Sequence, residues 1–132
     1  MHFVPFLYNR LGEPRKTQQW TRFICAHAYH NKVEGLVGNE DVGQMSAWYV
    51  LAGSGLHQYC PGDTRFELTS PVFSRVVFHL SDGKDFVVVA RDNSASNIFV
   101  RSARLNGQPL DGWQIDYADV MKGGTLELEM EK

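Results

Sequence analysis

The stretch that decides the fold reads RVVFHLSDGKDFVVVA from Arg75 to Ala90. Two runs rich in valine and phenylalanine flank residues 81–84, and the Asp-Gly pair inside that segment is a strong turn signal. The pattern predicts a β-hairpin with strands at residues 75–80 and 85–90. Further strands are predicted at residues 97–105, 113–116 and 125–130, with a helical turn at residues 117–121. Short strands joined by tight turns are typical of an antiparallel sandwich or sheet.

Residues before about position 60 have helical periodicity instead. Pro14 suits the first turn of a helix, which the spacing extends to about His30. The side chains predicted to be buried on this helix are Trp20, Phe23, Ile24 and Ala28. A loop with two glycines follows at residues 33–40.

A second helix is predicted to begin at Asp41, which is placed to cap it, with Gln44 completing a capping box. Its apolar face is formed by Met45, Trp48, Tyr49 and Ala52, and residues 53–55 end it. Two such helices predict a helical hairpin. The fold class is therefore α+β, with the helical hairpin in residues 1–58 and a small antiparallel β domain in residues 59–132.

Composition excludes several classes of protein. The chain has 132 residues, with 13 Lys plus Arg against 15 Asp plus Glu, and so a net charge of −2. That balance disfavours nucleic-acid binding, which depends on neutralising phosphates. No apolar run reaches the roughly 18 residues that a membrane span needs. Cys25 and Cys60 are too few for a disulfide framework, and two buried thiols are favoured over one bridge.

The densest polar signal is Gly38-Asn39-Glu40-Asp41, just before the second helix. A helix N-terminus favours ionised carboxylates, which can act as a general base or bind a hard cation. The alternative is purely structural, with Asp41 as a cap and Glu40 as its solvated neighbour. His27 and His30 have a spacing that suits a shared metal, but the sequence supplies no third ligand.

One run, GNEDVGQMSAWYV from Gly38 to Val50, closely resembles a signature of glycoside hydrolase family 92, the calcium-dependent exo-acting α-mannosidases. Shorter blocks resemble the same family in the same order. They are residues 2–9, 12–14, 16–18, 59–62, 70–73, 105–107 and 121–124. The resemblance covers essentially the whole chain.

The resemblance implies a fold and a place within it. Members are several times longer than this chain and combine an N-terminal β-sandwich with an (α/α)6 barrel, with the active site between them. Residues 1–58 would then be the last barrel helices and residues 59–132 the C-terminal β domain. The chain is accordingly expected to be a C-terminal fragment, with the remainder of the parent enzyme as its partner. A periplasmic or secreted location is implied by the family alone.

The resemblance also implies a mechanism. In the family a glutamic acid protonates the leaving oxygen, a carboxylate on the opposite face activates water, and Ca²⁺ contacts the mannose. Inverting sites hold their two carboxyl groups roughly 6.5–9.5 Å apart to leave room for the water. Asp41 matches the general base, and Asn39 stands where some members have a second Asp. Glu40 and His2 lie in matched blocks and are expected to line the sugar or calcium site.

Two functions from different classes follow. The first is an inverting, calcium-dependent exo-α-mannosidase that acts on α-1,2-linked mannose in glycans, in which this fragment supplies the base and is inactive alone because the acid lies elsewhere. The second is a non-catalytic module that binds a glycan or a protein, including a second copy, through exposed helix faces. The sequence identifies no metal ligands.

Overall fold

The computed structural model describes residues 2–132. Short helical segments begin the chain and precede two longer helices. They are a 3-10 turn at Val4–Phe6, α1 at Leu7–Arg10, α2 at Pro14–His27 and α3 at Gln44–Gly53. Pro14 opens α2 as predicted, since its fixed φ suits a first turn. The helix ends at His27, three residues earlier than expected, and the His30 amide instead donates to the Gly35 carbonyl at 2.8 Å.

The predicted buried face of α2 is wrong for its two large aromatic residues, whereas Ile24 is half-buried against the core between the helices. Trp20 and Phe23 are 44% and 49% exposed. The buried side of the helix is mainly polar and consists of Thr17, Gln18, Thr21 and Cys25. Apolar spacing located the helix correctly but not the side that faces the protein.

Polar side chains can face the interior of α2 because backbone groups lie opposite them. The Thr17 hydroxyl donates to the Pro5 carbonyl at 2.6 Å, inside the N-terminal turn. The Gln18 side-chain oxygen accepts from the Val100 amide at 2.9 Å. A buried polar group that is hydrogen-bonded avoids most of its desolvation cost. These bonds orient α2 towards the sheets and leave its aromatic side outside.

Eight strands within residues 2–132 form two sheets. Their ranges are β1 Leu56–Gln58, β2 Arg65–Leu68, β3 Arg75–His79, β4 Asp85–Arg91, β5 Phe99–Leu105, β6 Gln108–Pro109, β7 Gln114–Asp116 and β8 Gly124–Glu131. One sheet has the order β1-β2-β7 and the other β3-β4-β8-β5-β6. A short helix, α4 at Tyr117–Met121, matches the predicted helical turn. The α+β class is confirmed.

The β-hairpin predicted for residues 75–90 is present, with Val77 opposite Val87 in the antiparallel pair of β3 and β4. One strand pair departs from the antiparallel prediction, because β4 and β8 run parallel, with Val88 opposite Leu126. Parallel neighbours need a long crossover, and here β5, β6, β7 and α4 provide it. The sheet is therefore mixed.

The apolar interior has two parts. The larger lies among the strands and is formed by Leu56, Leu68, Phe86, Val88, Ala90, Val100, Ile115, Val120, Leu126, Leu128 and Met130. The smaller lies between the helices and contains Phe6, Cys25, Trp48 and Ala52. Trp48 is buried as its periodic position predicted.

Buried hydrogen bonds join the helices to the strands. Glu67 of β2 is fully buried and accepts from Arg10 Nε at 2.7 Å and from Asn9 Nδ2 at 3.2 Å. The Thr69 hydroxyl donates to the Ala52 carbonyl at 2.7 Å.

The division into residues 1–58 and 59–132 stays a prediction. Between residues 2 and 132, no helix combines the length and the apolar character that a bilayer crossing requires.

The two cysteines differ in environment. Cys25 is buried, and burial raises the pKa of its thiol to about 12. Cys60 is exposed, so the prediction that both thiols are buried is wrong for this residue. Both are free thiols. Cys60 lies on a surface turn after β1. The sequence changes there from a helical to a strand pattern, and neither pattern predicts whether the Cys60 side chain is buried.

Candidate active site

The acidic loop before α3 has an unusual backbone. Asp41, Val42 and Gly43 adopt φ values of 56°, 61° and 88°, three consecutive left-handed residues. This conformation costs roughly 1–2 kcal/mol for a residue with a side chain and is least suited to a β-branched one. Such local strain persists only where the surrounding structure imposes it, and it is common at functional sites. The loop is therefore a candidate site on backbone grounds alone.

The predicted capping role of Asp41 is wrong. The helix begins at Gln44, and Gly43 is its N-cap with no side chain to donate or accept. The left-handed run prevents Asp41 from joining the helix, so the capping box with Gln44 does not form. Asp41 is instead an exposed residue of the loop.

Glu40 satisfies the first turn of α3 in place of Asp41. Its side-chain oxygens accept from the Ser46 amide at 2.9 Å and from the Ser46 hydroxyl at 2.8 Å. Its backbone carbonyl accepts from the Met45 amide at 3.1 Å. A negative charge at a helix N-terminus is also favoured by the helix dipole. The first turn is thus closed by a residue that precedes the left-handed run.

Asp41 lies at a pocket of about 800 Å³. Of the predicted site residues, His2 lines the same pocket, whereas Asn39 and Glu40 do not. Asn39 is exposed two residues before Asp41 in the loop. The structure therefore brings together two of the four residues, one from the N-terminal turn and one from the loop before α3.

Trp48 holds His2 in the pocket wall. The indole Nε1 donates to the His2 carbonyl at 2.8 Å, and the two rings meet edge to face with centroids 4.9 Å apart. Burial lowers the pKa of His2, which favours the neutral imidazole. His2 Nε2 is buried and has no protein partner among residues 2–132. The imidazole therefore retains an unused hydrogen-bonding atom beside the pocket.

His57 is a pocket residue that the sequence did not single out. Its ring stacks on Phe6 at 4.5 Å, and its Nδ1 lies 2.6 Å from the Gln58 carbonyl oxygen. Because a carbonyl only accepts, Nδ1 must carry the proton, which leaves Nε2 as an acceptor in the neutral ring. Burial lowers the pKa of His57 and favours that neutral form. His57 belongs to β1, and only the structure shows that this strand brings it to the pocket.

Tyr59 completes the wall and is held by an ionic network. The Arg10 guanidinium lies over the Tyr59 ring, 4.7 Å from its centroid. Arg10 in turn pairs with Glu67 at 2.7 Å and with Asp63 at 2.8 Å. Hydrogen bonds from Arg65 and from Arg10 hold the pKa of Asp63 well below its usual range. The network keeps a planar aromatic side chain in place at the pocket.

The described residues include no cluster of His, Cys, Asp and Glu side chains typical of a metal site. Within residues 2–132, no three His, Cys, Asp or Glu side chains are grouped so that they could hold a metal ion. Calcium takes six to eight oxygen ligands, and the Glu40 carboxylate is already bonded to Ser46. The His27 and His30 pair likewise gains no third ligand in this part of the chain.

Comparison with known proteins identifies the class as a glycoside hydrolase. The chain belongs to glycosyl hydrolase family 92, whose catalytic-domain model matches residues 1–132. A curated relative, described as an uncharacterized secreted glycosidase of Arthroderma benhamiae, is 30% identical over 130 residues, which is 96% of this chain and 17% of the relative.

Solved structures agree. A family GH92 α-mannosidase of Bacteroides thetaiotaomicron in complex with mannoimidazole is 35% identical with a TM-score of 0.94, covering 98% of this chain and 17% of that one. A family GH92 inverting mannosidase of the same bacterium is 39% identical with a TM-score of 0.91, covering 98% and 18%. The chain therefore spans less than a fifth of the length of these relatives.

Proposed function

We propose that this chain is part of an inverting exo-α-mannosidase and that Asp41 is its general base. The observation that carries the proposal is the position of Asp41, an exposed carboxylate at the pocket that is not used as the cap of α3. The similarity to an inverting mannosidase, at 39% identity, supports the stereochemical course. The preferred linkage proposed is α-1,2, in mannose-containing glycans.

In this proposal Asp41 accepts a proton from the attacking water. A general base must lie within hydrogen-bonding reach of its water, and an exposed carboxylate at the pocket is open to one. Asn39 would assist Asp41 from the same loop through its amide, which donates and accepts but carries no charge, although Asn39 does not line the pocket. His2, which lines the same pocket, would contact the sugar there.

The general acid and the calcium ligands are proposed to lie in other parts of the complete protein. Calcium would contact mannose hydroxyls there, and no step performed by this chain depends on it. The chain alone is then expected to be inactive, because base and acid act on opposite sides of one bond. The similarity to a relative described as secreted supports a periplasmic or secreted location.

The helices indicate where the rest of the protein would pack. The outer side of α2 carries Trp20, Phe23 and His27, with the Phe23 and His27 rings stacked at 4.1 Å. On α3, buried Trp48 and exposed Val50 lie on different sides of one apolar helix. A helix that is apolar all round is normally buried. The proposed partner of these faces is the remainder of the enzyme.

A second candidate function rests on the same aromatic side of α2. Exposed rings can bind a glycan or pair two copies of the chain without any catalysis. This alternative predicts that the chain alone binds mannosides or forms a dimer. Titration calorimetry without heat, together with a monomeric sedimentation profile, would exclude it.

The proposed function is tested with the complete protein that contains this chain. We expect hydrolysis of α-1,2-mannobiose in the presence of calcium, loss of activity with a chelator, and restoration on adding calcium back. Proton NMR of the first turnovers should show β-mannose as the initial product. Initial release of α-mannose, or equal turnover by residues 1–132 alone, would contradict the proposal.

A further inference from the structure

The conformation of the Asp41 loop is not set by its own sequence. Val42 is fully exposed, so no side-chain packing compensates for its left-handed backbone. Gly38 and Gly43, on either side, also have positive φ and add freedom to the segment. Something outside the left-handed run must hold it if the carboxylate is to keep one orientation at the pocket.

Glu40 connects the two ends of the left-handed segment by hydrogen bonds to the first turn of α3. Three donors of the first turn of α3 reach it, the Met45 amide on its carbonyl and the Ser46 amide and hydroxyl on its carboxylate. Residues 41–43 are therefore enclosed between Glu40 and Ser46. Tyr29 supports the same turn from behind, since its hydroxyl donates to the Met45 carbonyl at 2.8 Å.

We infer that Glu40 is a positioning residue that fixes Asp41 through Ser46 and does not contact the substrate. Both of its side-chain oxygens accept hydrogen bonds from Ser46. Nor does it line the pocket that Asp41 and His2 share. The inference rests on the proposed function, because it concerns the orientation of the proposed base. Displacement of a catalytic group by about 1 Å can lower a rate by roughly a hundredfold.

The test compares Glu40→Ala, Glu40→Gln and Ser46→Ala in the complete protein. Glu40→Ala should lower kcat by about tenfold to a hundredfold while KM changes by less than about twofold. Glu40→Gln keeps one oxygen acceptor and should recover part of the loss. Ser46→Ala loses only the hydroxyl bond and should lower kcat by about threefold. Glu34→Ala, at an exposed position in the same connection, is the matched control and should leave both constants unchanged.

Hydrogen exchange gives a readout that does not depend on turnover. The Ser46 amide should exchange faster in Glu40→Ala than in the wild type, and residues 41–43 should become less ordered at an unchanged melting temperature. A raised KM with unchanged kcat in Glu40→Ala would show a substrate contact and overturn the inference. An active wild type together with unchanged kcat and KM in Glu40→Ala would also overturn it. A wild-type protein that hydrolyses no mannoside would overturn the proposed function itself.

Discussion

At the scale of single residues, environment decides what each group can do. Asp41 and Glu40 are adjacent acids, yet one is exposed at a pocket and the other is bonded to Ser46. The sequence identified the acidic loop but assigned the hydrogen bonds to the first turn of α3 to Asp41, whereas Glu40 makes them. A left-handed valine is not predictable from residue type, because the conformation is imposed by the contacts on either side of it.

The half-buried imidazole of His57 makes stability depend on pH. Its pKa lies below the ordinary 6.5 because burial penalises the charged form. The unfolded chain therefore binds the proton first, so the stability contributed by this group is present above about pH 6.5 and is lost as pH falls towards the lowered pKa. We expect His57→Phe, which keeps an aromatic ring against Phe6, to reduce the pH dependence between pH 7.5 and 5.

Urea unfolding of both proteins at the two pH values measures this effect. The free energy of unfolding should fall less in His57→Phe than in the wild type when the pH is lowered from 7.5 to 5. His30→Asn, at an exposed histidine, should retain the wild-type dependence. Parallel decreases in the wild type and His57→Phe would contradict the assignment.

At the scale of secondary-structure elements, local signals located the elements well and their packing poorly. The hairpin of β3 and β4 and the short helix α4 follow turn residues and alternation, which act over a few positions. The inward side of α2 was missed, because hydrogen bonds from Thr17 and Gln18 to distant backbone outweigh the apolar spacing of Trp20 and Phe23. Those bonds depend on the tertiary fold.

The joint between α1 and β2 gives a prediction at this scale. Glu67 is fully buried and accepts from Arg10, Asn9 and Gln114. Glu67→Gln replaces one carboxylate oxygen by an NH2 group, which would lie against the N–H donors that this oxygen accepts from. We expect a loss of about 3 kcal/mol in the free energy of unfolding. The measurement is denaturant unfolding followed by circular dichroism.

Glu13→Gln is the matched control for this joint. Glu13 pairs with Lys16 at 2.8 Å, but both side chains are about half exposed. Exposed pairs contribute less than about 1 kcal/mol, so this variant should remain close to the wild type. Equal losses in the two variants would mean that the buried network does not stabilise the joint.

At the scale of the whole molecule, the family and the α+β class were predictable from the sequence, and the mixed sheet was not. The parallel pair of β4 and β8 joins segments far apart in the chain, and no local signal encodes such a pairing. His57, in β1, and Tyr59, directly after it, also reach the pocket through tertiary structure, and no local signal in the sequence indicates this. The site is thus assembled by tertiary structure around one recognisable loop.

The role of the Asp41 carboxylate as general base is tested most directly by kcat of Asp41→Asn in the complete protein. Removal of a general base slows turnover by about 10² to 10⁴, and the amide keeps the size of the side chain. Asp111→Asn, at an exposed position elsewhere, serves as the control. We expect at least a hundredfold lower kcat on an α-mannobioside with calcium for Asp41→Asn alone. Turnover at the wild-type rate would contradict it.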